Sequence, residues 1–133
     1  VQPVSFDIET PDQAHGPFRD RLRAWLREAG VGRDDEQRIV LTAGEAVANA
    51  VGHGLASSPD GGPVRIQLAA MDGEVHVTVD SPGAFVDAPP APQRGRGISI
   101  MRHFSEDLRI DRSDDRTTVH IVHRLGARGD STR

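Results

Sequence analysis

Residues 45–54 read Glu45-Ala46-Val47-Ala48-Asn49-Ala50-Val51-Gly52-His53-Gly54, and this stretch decides how the rest of the chain is read. Glu45, Asn49 and His53 recur at every fourth position. At about 100° per residue they form one slowly drifting polar stripe along a helix. Ile39, Ala43, Val47, Ala50 and Val51 fall on the other side at spacings of three and four, the pattern of a core-facing surface. A carboxylate, an amide and an imidazole therefore stand together at the edge of a buried face, where they could meet a metal-bound anion. His53, nearest the apolar edge, is better suited to packing and hydrogen bonding at the helix end than to chemistry.

Upstream, this helix is expected to start at Asp34, an N-cap with Gln37 three residues on, and to run to about Gly54. Before it, residues 15–29 carry Phe18, Leu22, Trp25, Leu26 and Ala29 on one helical stripe, and Gly30 and Gly32 stop the helix. Earlier still, Val4, Phe6 and Ile8 alternate with Ser5, Asp7 and Glu9, which reads as a strand with one buried face.

Downstream, Val64, Ile66 and Leu68, then Val75, Val77 and Val79, form two alternating runs joined by Met71-Asp72-Gly73, a hairpin. The segment 81–93, with Pro82, Pro89, Pro90 and Pro92, is a loop. A helix is expected from about Gly97 with Ile100, Met101 and Phe104 inward. Leu108 and Ile110 mark a fourth strand, Val119 and Ile121 a fifth.

Every strand alternates, so the sheet has one covered face and one that is wet or open to a partner. The order of elements then gives an α/β (α+β) two-layer sandwich: a mixed, mostly antiparallel sheet of about five strands with three helices on one face. The folded domain spans residues 1–125, and residues 126–133 read as a disordered tail.

Two further segments carry polar chemistry. Arg94-Gly95-Arg96-Gly97 is a glycine turn feeding a helix, where close backbone approach, free N–H groups and two guanidinium groups suit a phosphate. The same turn also serves simply to start a helix. Asp80-Ser81-Pro82-Gly83 ends the second hairpin strand; its carboxylate can accept a bond from an amino group, although the tetrapeptide would form an Asx-type turn in any case.

Composition narrows the classes. With 133 residues, 36% hydrophobic and 27% charged, the chain suits one globular domain, and no apolar run approaches the ~20 residues of a membrane span. No signal peptide is visible, and with no cysteine the chain fits a cytoplasmic location. The net charge of −4 leaves no basic footprint for direct nucleic-acid binding. All 16 basic residues are arginine. Without lysine, neither a P-loop nor an ordinary protein-kinase site can operate. Any nucleotide phosphates would have to be held by backbone N–H groups, arginine and a metal.

The ordered set of E-x-x-x-N-A-x-x-H-G, D-x-x-G, G-R-G-I-x-I-M and Thr117-Thr118-Val119 resembles the Bergerat-type (GHKL) ATPase superfamily. It looks most like the anti-sigma factor/serine-protein kinase branch, and the resemblance covers about residues 4–124. It implies ATP and Mg²⁺, with Asn49 as the metal ligand and Glu45 as the catalytic general base. It further implies that Asp80 reads the adenine amino group, with Thr117 or Thr118 adding a hydroxyl. Gly83 falls in the first glycine box. Gly95 and Gly97, flanked by Arg94 and Arg96, match the second box along the phosphates. In function it implies a protein-serine kinase that sequesters a sigma factor and phosphorylates a serine of an anti-anti-sigma (STAS-type) partner. The same resemblance admits a homodimer, to which no exposed apolar stripe can be assigned. The first glycine box departs from the family's D-x-G-x-G, since Pro82 and Ala84 stand in the turn. Proline removes a donor and restricts the backbone there. The alternative is therefore a non-catalytic regulatory binding module of the same fold, with weak or no ATP binding.

Overall fold

A computed structural model describes residues 1–52, 63–82, 101, 104–113 and 115–126. Five strands, β1 (Val4–Ile8), β2 (Val64–Met71), β3 (Glu74–Pro82), β4 (Asp107–Arg112) and β5 (Arg116–Arg124), form one sheet in the order β1-β2-β3-β5-β4. Every pairing is antiparallel, so the expectation of a mixed sheet gives way to a uniform one. Each neighbour in the sheet except the β3–β5 pair is either the edge strand β1 or the other arm of a tight hairpin.

The β2–β3 turn is Asp72-Gly73, with φ of 53° and 76°. Two consecutive left-handed residues give the turn whose twist matches a hairpin, and an Asp-Gly pair tolerates them at low cost. The turn fixes the register at Met71↔Glu74, which places Ile66, Leu68, Val75, Val77 and Val79 on one face. Ile121 and Val119 of β5 join them from across β3. All of these are at most 8% exposed.

Two helices cover that face: α1 (Gly16–Glu28) and α2 (Arg33–Ala50). A short 3-10 turn, Pro11–Ala14, leads into α1. Phe18, Leu22, Trp25 and Leu26 of α1 are buried, as are Ile39, Ala43, Val47, Ala50 and Val51 of α2 and its extension. The Trp25 ring also donates Nε1–H to the Gln2 carbonyl at 3.0 Å, tying the chain start to α1.

The link between the helices shows why α2 starts where it does. Gly30 has φ of 81°, its N–H bonds to the Arg27 carbonyl at 3.0 Å, and Val31 N–H reaches the Leu26 carbonyl at 3.0 Å. This is a Schellman stop. Only Gly32 then remains before the helix resumes, so Gly32 and not Asp34 is the N-cap, with Glu36 N–H bonded to its carbonyl at 2.8 Å. Asp34, Asp35 and Glu36 fall in the first turn, where their charges complement the positive end of the helix dipole.

Among the described residues two α-helices are present where three were expected. Most of the segment expected to form the third, from about Gly97, lies outside them. Met101 is helical and 2% exposed, while Phe104 is helical but 37% exposed rather than inward. Gly126, assigned above to the tail, bonds through its N–H to Asp35 Oδ2 at 3.4 Å; residues 127–133 lie outside the described set. No helix among the described residues is long and apolar enough to cross a membrane.

Candidate functional site

One side of α2 carries a continuous polar line. Asp35, Arg38, Thr42, Glu45 and Asn49 follow one another at steps of three or four, so helix geometry puts all five on one flank, beside the buried stripe of Ile39, Ala43, Ala46 and Ala50. The sequence reading found the C-terminal two. The same spacing traced backwards leads to Thr42, Arg38 and Asp35.

The N-terminal three are tied to the sheet. Arg38 Nη2 donates to Asp35 Oδ1 at 2.8 Å and to the Arg124 carbonyl at 3.1 Å, and its Nη1 lies 3.6 Å from Glu106 Oε2. Glu106 in turn accepts the backbone N–H of Arg124. Thr42 Oγ1 is 2.7 Å from Nε2 of His123, and both residues are fully buried. Since Thr42 also donates to the Ile39 carbonyl at 3.2 Å, its oxygen is placed to accept Nε2–H from a neutral ring. The other ring nitrogen faces the Phe104 backbone without forming a well-shaped bond. Burial, reinforced by the nearby Arg38 guanidinium, lowers the His123 pKa from 6.5 to about 4.

Glu45 and Asn49 differ. Both side chains are half-buried, and among the described residues neither has a hydrogen-bond or ion-pair partner. Glu45 also borders a cleft of about 240 Å³ with Arg19 and Arg23 of α1 and Gln37, Leu41 and Gly44 of α2. A half-buried amide oxygen without a partner among the described residues is chemically suited to a hard cation, and the nearby carboxylate to a proton.

The remaining expected residues are divided between the two sides of the sheet. Asp80 is out of phase with Val75, Val77 and Val79 and points to the open face. There its Oδ1 accepts from Arg116 Nε at 3.0 Å and from Thr118 Oγ1 at 3.3 Å. Thr117, opposite Ser81 in the β3–β5 register, lies on the helix face and is 4% exposed. Ser81 itself is 6% exposed and donates to the Thr117 carbonyl at 3.4 Å. Asp80 and Thr118 are therefore on one side of the sheet, and Glu45, Asn49, Thr117 and Ser81 on the other. His53, Gly83, Arg94, Gly95, Arg96 and Gly97, singled out in the sequence, lie outside the described residues.

A helix-covered antiparallel sheet with an Asn/Glu pair on the second helix defines a class. The chain matches the histidine kinase-like ATPase domain family over residues 9–123 and belongs to that family. Within it, the chain is similar to the anti-sigma F factor of Bacillus licheniformis, 28% identical over 120 residues that cover 80% of this chain and 82% of the relative. The fold is similar to the structure of the RsbU and RsbW domains of Rv1364c from Mycobacterium tuberculosis, with a TM-score of 0.76 and 28% identity. That match covers 94% of this chain and 33% of the longer one, so this chain spans about a third of it. The SiaB–SiaC complex from Pseudomonas aeruginosa shares the fold at a TM-score of 0.66 with 9% identity.

Proposed function

We propose that this protein is a cytoplasmic anti-sigma factor and ATP-dependent protein-serine kinase, which holds a sigma factor and is switched by phosphorylating a STAS-type anti-anti-sigma partner. Kinship with anti-sigma F factors supports partner binding. The observation that carries the kinase reading is the half-buried Glu45/Asn49 pair, without partners among the described residues, on a helix flank whose other three polar residues, Asp35, Arg38 and Thr42, are bonded.

In this reading Asn49 offers its amide oxygen to Mg²⁺, and Glu45 orients the attacking serine and takes its hydroxyl proton at the carboxylate. Bound Mg-ATP supplies the phosphoryl group and the cation that offsets its charge. The covering helices would keep water from the transfer. Family kinship supports ATP and Mg²⁺ as the ligands, and the donor set at Glu45 and Asn49 fits them.

The test mixes the protein with radiolabelled ATP and candidate STAS-type partners. Glu45→Ala is expected to keep Mg-ATP binding while phosphotransfer falls by about 10²- to 10⁴-fold, the usual contribution of a general base. Unchanged transfer in that variant would remove Glu45 from the chemistry.

One observation favours a second reading, a binding module that sequesters a regulator without catalysis. Asp80, the residue expected to grip the base, is bonded to Arg116 on the open face. Calorimetry with Mg-ATP separates the two, because the module gives no heat at millimolar nucleotide.

A further inference from the structure

The end of β3 and its partner end of β5 settle which groups face the helices. Val75, Val77, Val79 and Ser81 are buried in alternation with Glu74, His76, Thr78 and Asp80, and on β5 Thr117, Val119, Ile121 and His123 are buried in the same way. Side chains on a strand change face at every residue. Moving Asp80 to the helix side would require a one-residue slip, which would turn the three core valines of β3 outward. Asp80 is also held where it is, by Arg116 at 3.0 Å and Thr118 at 3.3 Å.

We propose that Ser81, supported by Thr117, takes the base-recognition position in this protein, and that the site therefore accepts purine nucleotides with little preference for adenine over guanine. The inference rests on the nucleotide-binding reading above. α2 is fixed to the sheet at the Arg124 end of β5 through Arg38 and at His123 through Thr42. From there Glu45 and Asn49 lie one to two turns further along the helix. The first polar side chains that the same sheet face presents beyond Val79 and Val119 are the paired Ser81 and Thr117.

The chemistry of the two residue types then decides specificity. An ionised carboxylate only accepts, so it bonds the 6-amino group of adenine and meets the 6-oxo group of guanine as an unpaired, repelling acceptor. A hydroxyl rotates to accept from the amine or to donate to the oxygen. Sites built on a one-way hydrogen bond reject the mismatched ligand strongly, and a two-way group does not. Asp80 is left with a structural task, closing the Arg116–Thr118 cluster over the end of the β3–β5 ladder.

Calorimetry with non-hydrolysable Mg-ATP and Mg-GTP analogues on the whole protein tests this. The wild type should bind the two within about tenfold of each other, and Asp80→Asn should leave that ratio unchanged. Ser81→Asp should shift the ratio towards adenine by about tenfold or more. A buried carboxylate at position 81 can unfold the chain, so Ser81→Ala gives a second measurement. It should weaken both nucleotides by a similar factor, about three- to tenfold, and a loss confined to one base overturns the inference. An adenine preference above about tenfold in the wild type also overturns it, and abolition of that preference in Asp80→Asn returns the base contact to Asp80. In either case binding of Mg-ATP leaves the kinase reading standing. No binding of any nucleotide by wild type or variants overturns both.

Discussion

The two halves of the polar flank of α2 have the same spacing and opposite circumstances. Asp35, Arg38 and Thr42 meet Gly126, Arg124, Glu106 and His123, and of the buried polar side-chain atoms there Arg38 Nε and His123 Nδ1 are the ones without a hydrogen-bond partner. One step further along the helix, Glu45 and Asn49 have none among the described residues. Leaving polar groups half-buried and unpaired costs stability, so a fold that bonds the first three and leaves the next two has room for a ligand at the second place. The lesson is that a polar stripe on a helix is uninformative as a whole; the part without partners is the candidate for a site.

The sharpest way to break the comparison is to remove Arg38. Its side chain is 16% exposed and that of Asp35 is 9% exposed, so Arg38→Ala strands a buried carboxylate. The expected loss is about 3–5 kcal/mol of folding stability, read from denaturant midpoints. A loss near that of an exposed ion pair, below about 1 kcal/mol, would put the N-terminal half in the same class as the surface pairs.

A somewhat smaller effect is expected from pH. Because the folded chain holds His123 near a pKa of about 4 while the unfolded ring titrates at 6.5, the unfolded state binds the extra proton between those values. Stability from this group is therefore complete above 6.5, falls as pH drops towards 4 and is fully lost below it, about 3 kcal/mol in all. Unfolding free energies of wild type and His123→Leu, compared across that window, should diverge in slope. Parallel curves would mean that the ring is not held neutral.

The smallest effect on stability is expected in the other half. Asn49→Ala should change folding free energy by no more than about 0.5 kcal/mol, yet abolish the Mg²⁺-dependent part of the thermal shift produced by ATP. A large destabilisation would show that Asn49 is structural like its neighbours upstream.

Much of the fold was legible because its signals are local. The two-residue alternation of Val75, Val77 and Val79, the Asp72-Gly73 turn and the three-and-four spacing of α2 each depend on neighbours in the chain, and each predicts its element. Parity even held the clue to Asp80, which follows a buried valine and so points outward. The motif resemblance drew attention to the residue type and away from its phase. That Ser81 and Pro82 are both buried at the strand end could not be counted from the pattern, since it breaks the alternation.

The sequence by itself determined the elements, the hairpins, the core faces and the Glu45/Asn49 pair, because backbone periodicity and side-chain hydrophobicity are written residue by residue. Only the tertiary structure decided which polar groups are used up. Arg38 meets Arg124 across 86 positions and Asp35 meets Gly126 across 91, while Thr42 closes on His123 across 81. Whether a buried polar atom is satisfied depends on what the fold brings to it from far along the chain, and that is why the same stripe serves structure at one end and presents a candidate site at the other.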